Sequence, residues 1–491
     1  MNFLSLFLII ERDGVYDAKT HHMLSKSVYY PETQTPASHF FEDKTNMAGT
    51  CAPLTFTDAL KTVGCTGTFN FKNTDVAKYF ADHISDLIDA ALFQGGRDLM
   101  ETTNPSIMKC AHFDISSEEN SKKAFIILSN GPSLIINALI SDLTFFLKMT
   151  EILSHPNLSS IVVNRLATIL NYIIMNNEQA SLDSIGFLTM ILKYIEETAV
   201  FDLFCTIFND KDKLKPMQKL LATTDIDVFI LNEFSSTEIL SYEKKLNLTL
   251  LINYGLKCKR LRDSFTNRRI LVHLISLMNT EDTLLLNSIW SSLALLMTKK
   301  MLNKVEIQKL FEDAFEIICG SFDTLHTYHI SIFEFLTAIV DLKVLMFTEN
   351  HKKQICQTFQ SLFPKFPNST NLMSSMFKFI RTSLHNRDFA QRILDGYIPF
   401  FIDEGMKKQR TAASANALVF LGDLDRMKTS SYMINKSLTS SQKYMTFYKS
   451  FFKDYLEKLP NPYGGTVTRY VKEGKFAEKA SKKHSKKTKE L

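Results

Sequence analysis

The chain has 491 residues, 45% of them hydrophobic and 22% charged, and carries a formal net charge of +5. Those proportions are ordinary for a soluble folded protein, and only 16 Gly and 12 Pro argue against a turn-dense β fold. The charge is local: nine basic and three acidic residues lie from Arg469 onward, and subtracting them from 57 and 52 leaves a body of 48 against 49, too neutral to draw nucleic acid.

Residues 1–72 are irregular in pattern and rich in Thr, with Pro31, Pro36 and Pro53 interrupting any helix, and read as an arm or cap. The apolar start has no positive leading segment and no small-residue cleavage pattern before Glu11, so it does not read as a secretory signal. Gly64-Cys65-Thr66-Gly67-Thr68 lacks the Lys-Ser/Thr of a phosphate loop and reads as a turn. A helix follows over 75–93, with Val76, Phe80, Ile84, Leu87, Ile88 and Ala91 on one face, Thr74 or Asp75 as cap and Gly95-Gly96 as stop. Residues 97–120, with Pro105, form a loop.

From 133 to 233 apolar helical segments alternate with short breaks, at 134–149, 158–175, 182–195, 200–208 and a run ending near Leu231. In the second, Ile161, Leu166, Ile169, Leu170 and Ile173 recur at three-to-four-residue steps, and Val162, Ala167 and Ile174 widen the stripe. A helix apolar over so much of its circumference needs two neighbours. His155-Pro156-Asn157 ends the preceding helix, and Asn157 or Ser159 caps the next. The same grammar predicts helices at 237–256, 268–278, 281–298, 303–319, 324–346, 350–363, 370–384 and 409–424, with breaks at Asn279-Thr280, Gly320, Pro364 to Pro367 and Gly396 to Pro399. Short links between many helices of this length predict an all-α, armadillo/HEAT-like helical-repeat solenoid over 73–465, although no strict period shows. Residues 466–491 are a basic tail too polar to bury anything, expected to be disordered. No uncharged apolar run reaches the roughly 18 residues of a spanning helix, so no membrane partner is expected.

A set of short segments resembles the SAPS domain family. They are Thr144-Phe145-Phe146-Leu147, Leu153-Ser154-His155-Pro156-Asn157-Leu158, Ala167-Thr168-Ile169-Leu170, Phe187-Leu188 and the stretch Ile195-Glu196-Glu197-Thr198-Ala199-Val200-Phe201-Asp202-Leu203. Leu418 to Leu424, centred on Gly422, and Tyr444 to Leu459 followed by Pro460-Asn461-Pro462 and Tyr463-Gly464-Gly465 are similar to the family's last helices and its Gly-Gly ending. Two features depart from the pattern: the usual N-terminal helices are not evident before Asp75, and the segment after Gly465 is basic where larger members carry a long acidic extension. Members are regulatory subunits of protein phosphatase 6 and its fungal counterpart. The resemblance therefore implies a noncatalytic scaffold that binds a Ser/Thr protein phosphatase catalytic subunit, with room for a third subunit, and directs it to substrates. A helical-repeat adaptor of nuclear transport or vesicle traffic is the competing expectation, because fold does not fix function.

No catalytic set is evident: there is no Gly-x-Ser-x-Gly elbow, no His-Glu-x-x-His helix and no kinase signature. His385-Asn386-Arg387-Asp388 reads as a turn between helices, and His326 and His329 share a helix face without a nameable third metal ligand. The chain is accordingly expected to be no enzyme and to need no cofactor or metal. Seven scattered cysteines, Cys51, Cys65, Cys110, Cys205, Cys258, Cys319 and Cys356, suit a reducing compartment, where the Asn-x-Ser/Thr sites at Asn157, Asn247, Asn368 and Asn435 carry no meaning. Two basic clusters remain. Lys257, Lys259, Arg260, Arg262, Arg268 and Arg269, opposed in sequence only by Asp263, form either a patch for an acidic partner surface or a solvated turn that offsets helix dipoles. Lys482, Lys483, Lys486 and Lys487 in the tail are either an import signal, extending a cytoplasmic location to the nucleus, or a solubilising end.

Overall fold

The computed structural model describes residues 55–61, 74–92, 118–141, 143–154, 158–177, 185–209, 211–235, 240–298, 304–343, 347–385 and 387–458, and among them every regular element is helical. The fold is all-α and of the armadillo/HEAT-like helical-repeat kind. Several helices begin where the sequence supplies a side-chain oxygen for the orphan amides of a first turn. Ser159 caps Ser160–Asn176, Ser241 caps Tyr242–Lys257, Asp282 caps Thr283–Leu296 and Thr411 caps Ala412–Met427. Each such cap stabilises its helix by about 1 kcal/mol.

The chain divides into two units, Met1–Met346 and Phe347–Leu491. In the first, five helices stack in succession: Ser160–Asn176 on Thr198–Ile207, that on Tyr242–Lys257, then Thr283–Leu296, then Thr327–Leu342. Ile226–Phe234, Arg268–Ser276 and Lys304–Cys319 each pack against this column from the intervening positions. In the second unit Glu349–Lys365 packs on Arg387–Gly405, which packs on Ala412–Met427.

The period that the letters hide appears in the polar ties between successive layers. Tyr242 reaches Asp282 forty residues on, Arg260 reaches Gln218 and Ser264 reaches Ala222 across 42, and Ser331 reaches Asn287 across 44. The second unit keeps the same step: Arg381 bonds Asp423 across 42 residues and Lys443 bonds Asp403 across 40. This is the length of one helical-pair repeat in such arrays. These six ties use six different residue pairings, so no one pairing marks the period in the sequence.

Phenylalanine fills the core. Phe363, Phe377, Phe401 and Phe420 meet at centroid distances of 5.1–5.5 Å in the second unit, and Trp290 lies edge-on to Phe335 at 5.2 Å in the first. Such rings bury large apolar area and add pairwise attraction of about 1 kcal/mol.

Several expectations need correction. The helix expected over 75–93 is two, Thr74–Asp82 and Ile84–Leu92, meeting at His83, whose Nδ1 and amide both lie on the Tyr79 carbonyl at 2.9 and 3.0 Å. The segment expected at 134–149 likewise divides into Ser133–Ser141 and Leu143–Leu153. Ile161, placed in the buried stripe, is 53% exposed, whereas Arg165 is buried, donating to the Ala91 carbonyl and Ser121 Oγ at 2.7 Å each. The break expected at Gly396 to Pro399 does not exist: Arg387–Gly405 runs straight through it. Within the arm expected over 1–72, Phe56–Lys61 is a helix with Phe56, Ala59 and Leu60 buried, and the loop expected over 97–120 gives way to helix at Glu118, the start of Glu118–Asn130. The arm before residue 55 and over 62–72, with the turn at 64–68, the loop at 97–117, the break at His155-Pro156-Asn157 and Cys51, Cys65 and Cys110 lie outside the described residues.

Among the described residues no single helix is long and apolar enough to cross a membrane. Glu119–Asn130 and Ser133–Ser141 reach that composition only when joined across a 94° bend.

Candidate functional site

The turn bearing the first basic cluster is held from beneath. Tyr242–Lys257 closes with the Cys258 amide on the Tyr254 carbonyl, and Leu261 and Phe265 are fully buried. Gly255 is required here, since a Cβ would lie 2.1 Å from the Phe265 ring. Asn267 then caps Arg268–Ser276 through the Ile270 amide and sends its Nδ2 to Asp227 at 2.7 Å.

On this frame the six predicted cations separate into two groups. Arg260, half-buried, donates to Gln218 Oε1 at 3.0 Å. Arg268 pairs with Glu306 at 2.6 Å and Arg269 with Asp227 at 3.2 Å. The opposing charge is therefore not Asp263 alone but two carboxylates one repeat away on either side, which spacing along the chain does not reveal. Lys257, Lys259 and Arg262 are exposed, as are Arg268 and Arg269, while Arg260 is not. Exposed pairs of this kind contribute only about 0.2–1 kcal/mol. Asp227, 4% exposed and shared by two donors, is the better-anchored partner.

A second basic segment joins the first. Gln218, which receives Arg260, is fully buried and fixes the end of the preceding layer by donating to the Ile207 and Asn209 carbonyls at 2.8 Å. Around it lie Lys211, Lys213, Lys215 and Lys219, with Asp212 among them. Lys215 holds the Asp212 carboxyl below its ordinary pKa, and Arg260 adds to that effect from the neighbouring turn. The alternating Lys211-Asp212-Lys213-Leu214-Lys215 is visible in the sequence, but its place beside 257–262 follows only from the 42-residue register.

The stretch that carries the clearest part of the resemblance, residues 195–203, is a joint. Glu197 accepts from Ser160 Oγ and Asn164 Nδ2 at 2.6 and 2.5 Å, and Asn164 Oδ1 accepts the Ala199 amide at 2.9 Å. Beside it Lys244 reaches Glu233 at 2.7 Å and the Lys193 carbonyl at 3.1 Å, and Lys193 caps the Leu153 carbonyl at 2.7 Å. Burial lowers the Lys193 pKa and raises that of Glu196. These charges fasten layers to one another.

Compared with family models, with curated proteins and with solved structures, the chain gives no match. The site therefore has to be read from its own geometry.

The histidine pair is structural. His329 is 1% exposed, stacks on Phe322 at 4.0 Å and accepts the His326 amide on Nδ1 at 3.0 Å, closing the start of Thr327–Leu342. Burial pushes its pKa down to about 4. Among the described residues no three His, Cys, Asp or Glu side chains gather as a metal site. A groove of about 440 Å³ between Arg268–Ser276 and Lys304–Cys319 is lined by Ile275, Leu310 and Ile317 together with Glu306, Lys309, Asp313 and Glu316. His385 lies in the turn between Thr370–Ser383 and Arg387–Gly405, with Asn386 outside the described residues. Lys482, Lys483, Lys486 and Lys487, and the ending at 459–465, also lie outside the described residues.

Proposed function

We propose that the chain is a noncatalytic scaffold that binds the catalytic subunit of a phosphatase-6-type Ser/Thr protein phosphatase and directs it to substrates. The observation that carries this reading is the ordered set of SAPS-like segments from Thr144 to Leu203 and from Leu418 to Gly465, which is consistent with a helical-repeat fold. Hydrolysis of phosphoserine and phosphothreonine then belongs to the partner. This chain would act by tethering, which raises the effective substrate concentration at the catalytic subunit.

The test is direct association of the purified chain with a phosphatase-6-type catalytic subunit in size-exclusion chromatography, alongside capture from cell extract. A stable complex, with the phosphatase recovered in the capture, is expected. Failure to form that complex, together with recovery of transport factors or vesicle-coat proteins, overturns the reading in favour of a different helical-repeat adaptor.

A further inference from the structure

We propose that the edge formed jointly by residues 211–219 and 257–263 is a docking surface for an acidic polypeptide segment, one rich in Asp and Glu. Neither stretch is a notable patch alone. The Arg260 to Gln218 bond at 3.0 Å and the Ser264 to Ala222 bond at 3.1 Å bring the two turns together, so that eight basic side chains share one edge with two acidic ones, Asp212 and Asp263. Lys211, Lys219, Lys259 and Arg262 are all exposed there.

Dipole compensation is too small to explain this excess. Three helices, Ser160–Asn176, Thr198–Ile207 and Tyr242–Lys257, end at this edge, the first with Lys213 on its Met175 carbonyl at 2.7 Å, and each C-terminus presents only about half a negative charge. The remainder stands out against a body of 48 basic and 49 acidic residues, so it is a local feature and not the general surface. Six of the eight cations are lysines on long flexible stems, suited to a chain of carboxylates that follows the edge.

One feature favours a polypeptide over a nucleic acid. Single-stranded nucleic acid is held by outward aromatic rings on which bases stack. Neither stretch carries an aromatic ring, and the neighbouring Phe265 is fully buried.

The proposal stands apart from the phosphatase reading, because its test uses an acidic peptide and no phosphatase. The anisotropy of a dye-labelled oligoglutamate peptide is measured with the full chain and with the variant Lys211→Glu, Lys219→Glu, Lys259→Glu, Arg262→Glu. A control of identical net charge carries Lys309→Glu, Lys353→Glu, Lys408→Glu and Lys436→Glu, four other exposed positions. The patch variant is expected to lose about tenfold in affinity and much of its salt dependence, while the control stays within about twofold of the parent. Equal losses in both variants, or parental affinity in the patch variant, overturn the proposal. So does oligothymidine or a phosphatidylserine vesicle that binds more tightly than oligoglutamate and is lost in the patch variant alone. Thermal melting checks that each variant is folded. Should the fourfold variant not fold, the pair Lys259→Glu, Arg262→Glu carries the same comparison with a proportionately smaller loss.

Discussion

A single imidazole shows how burial decides the chemistry of this chain. His273 lies 4.2 Å from the Phe234 ring, its Nε2 is buried without a hydrogen-bond partner, and burial holds its pKa down to about 4 from 6.5. His329 is depressed to about 4 as well, chiefly by burial. With the folded pKa below the unfolded one, the unfolded chain takes up protons first as pH falls. The stability from neutral burial is therefore fully present above about pH 6.5 and drains away toward pH 4. Each histidine contributes a slope of up to about 1.4 kcal/mol per pH unit. Urea midpoints are thus expected to fall from pH 6.5 to about 5, and His273→Phe, which fills the site without a polar atom, should flatten that limb by about half. An unchanged limb in the variant would place the imidazole in contact with water.

At the scale of one helix, Arg387–Gly405 shows tertiary packing overruling local preference. Gly396 costs a helix interior about 1 kcal/mol and Pro399 about 3 kcal/mol, which is why the sequence reads as a break there. The helix persists because Ile393, Leu394, Tyr397, Ile398, Phe401 and Ile402 are all buried, each side chain supplying roughly 1.5–3 kcal/mol. Gly396 itself is exposed and a Cβ there would meet nothing within 4 Å. Gly396→Ala should accordingly stabilise the protein by about 0.5–1 kcal/mol, read as a higher urea midpoint with an unchanged slope. A lower midpoint would mean that the glycine serves something other than the helix. The same contrast separates what is legible from what is not. Apolar periodicity predicts 268–278 and 370–384, close to the observed Arg268–Ser276 and Thr370–Ser383, because each helix writes its own stripe. The partners of Arg260, Arg268 and Arg269 are not legible, since Gln218, Glu306 and Asp227 lie about one repeat away and no pattern within one helix encodes them.

For the whole array the consequence is that stability is a chain of local joints. In stacked repeats each layer touches its neighbours, and free energy is close to a sum of layer and nearest-interface terms. The joint at Asp227 tests this within the first unit, because a 4%-exposed carboxylate there gathers Asn267 Nδ2 at 2.7 Å and Arg269 at 3.2 Å from the next layer. Asp227→Ala leaves those donors without their acceptor, a cost of about 1–3 kcal/mol. Native-state hydrogen exchange should then quicken in Ile226–Phe234 and Arg268–Ser276 while Ile84–Leu92 keeps its parental rates, since opening is local where cooperative units are short. A uniform rise across all of these helices would show that the layers unfold as one block and that the joints do not act as separate units.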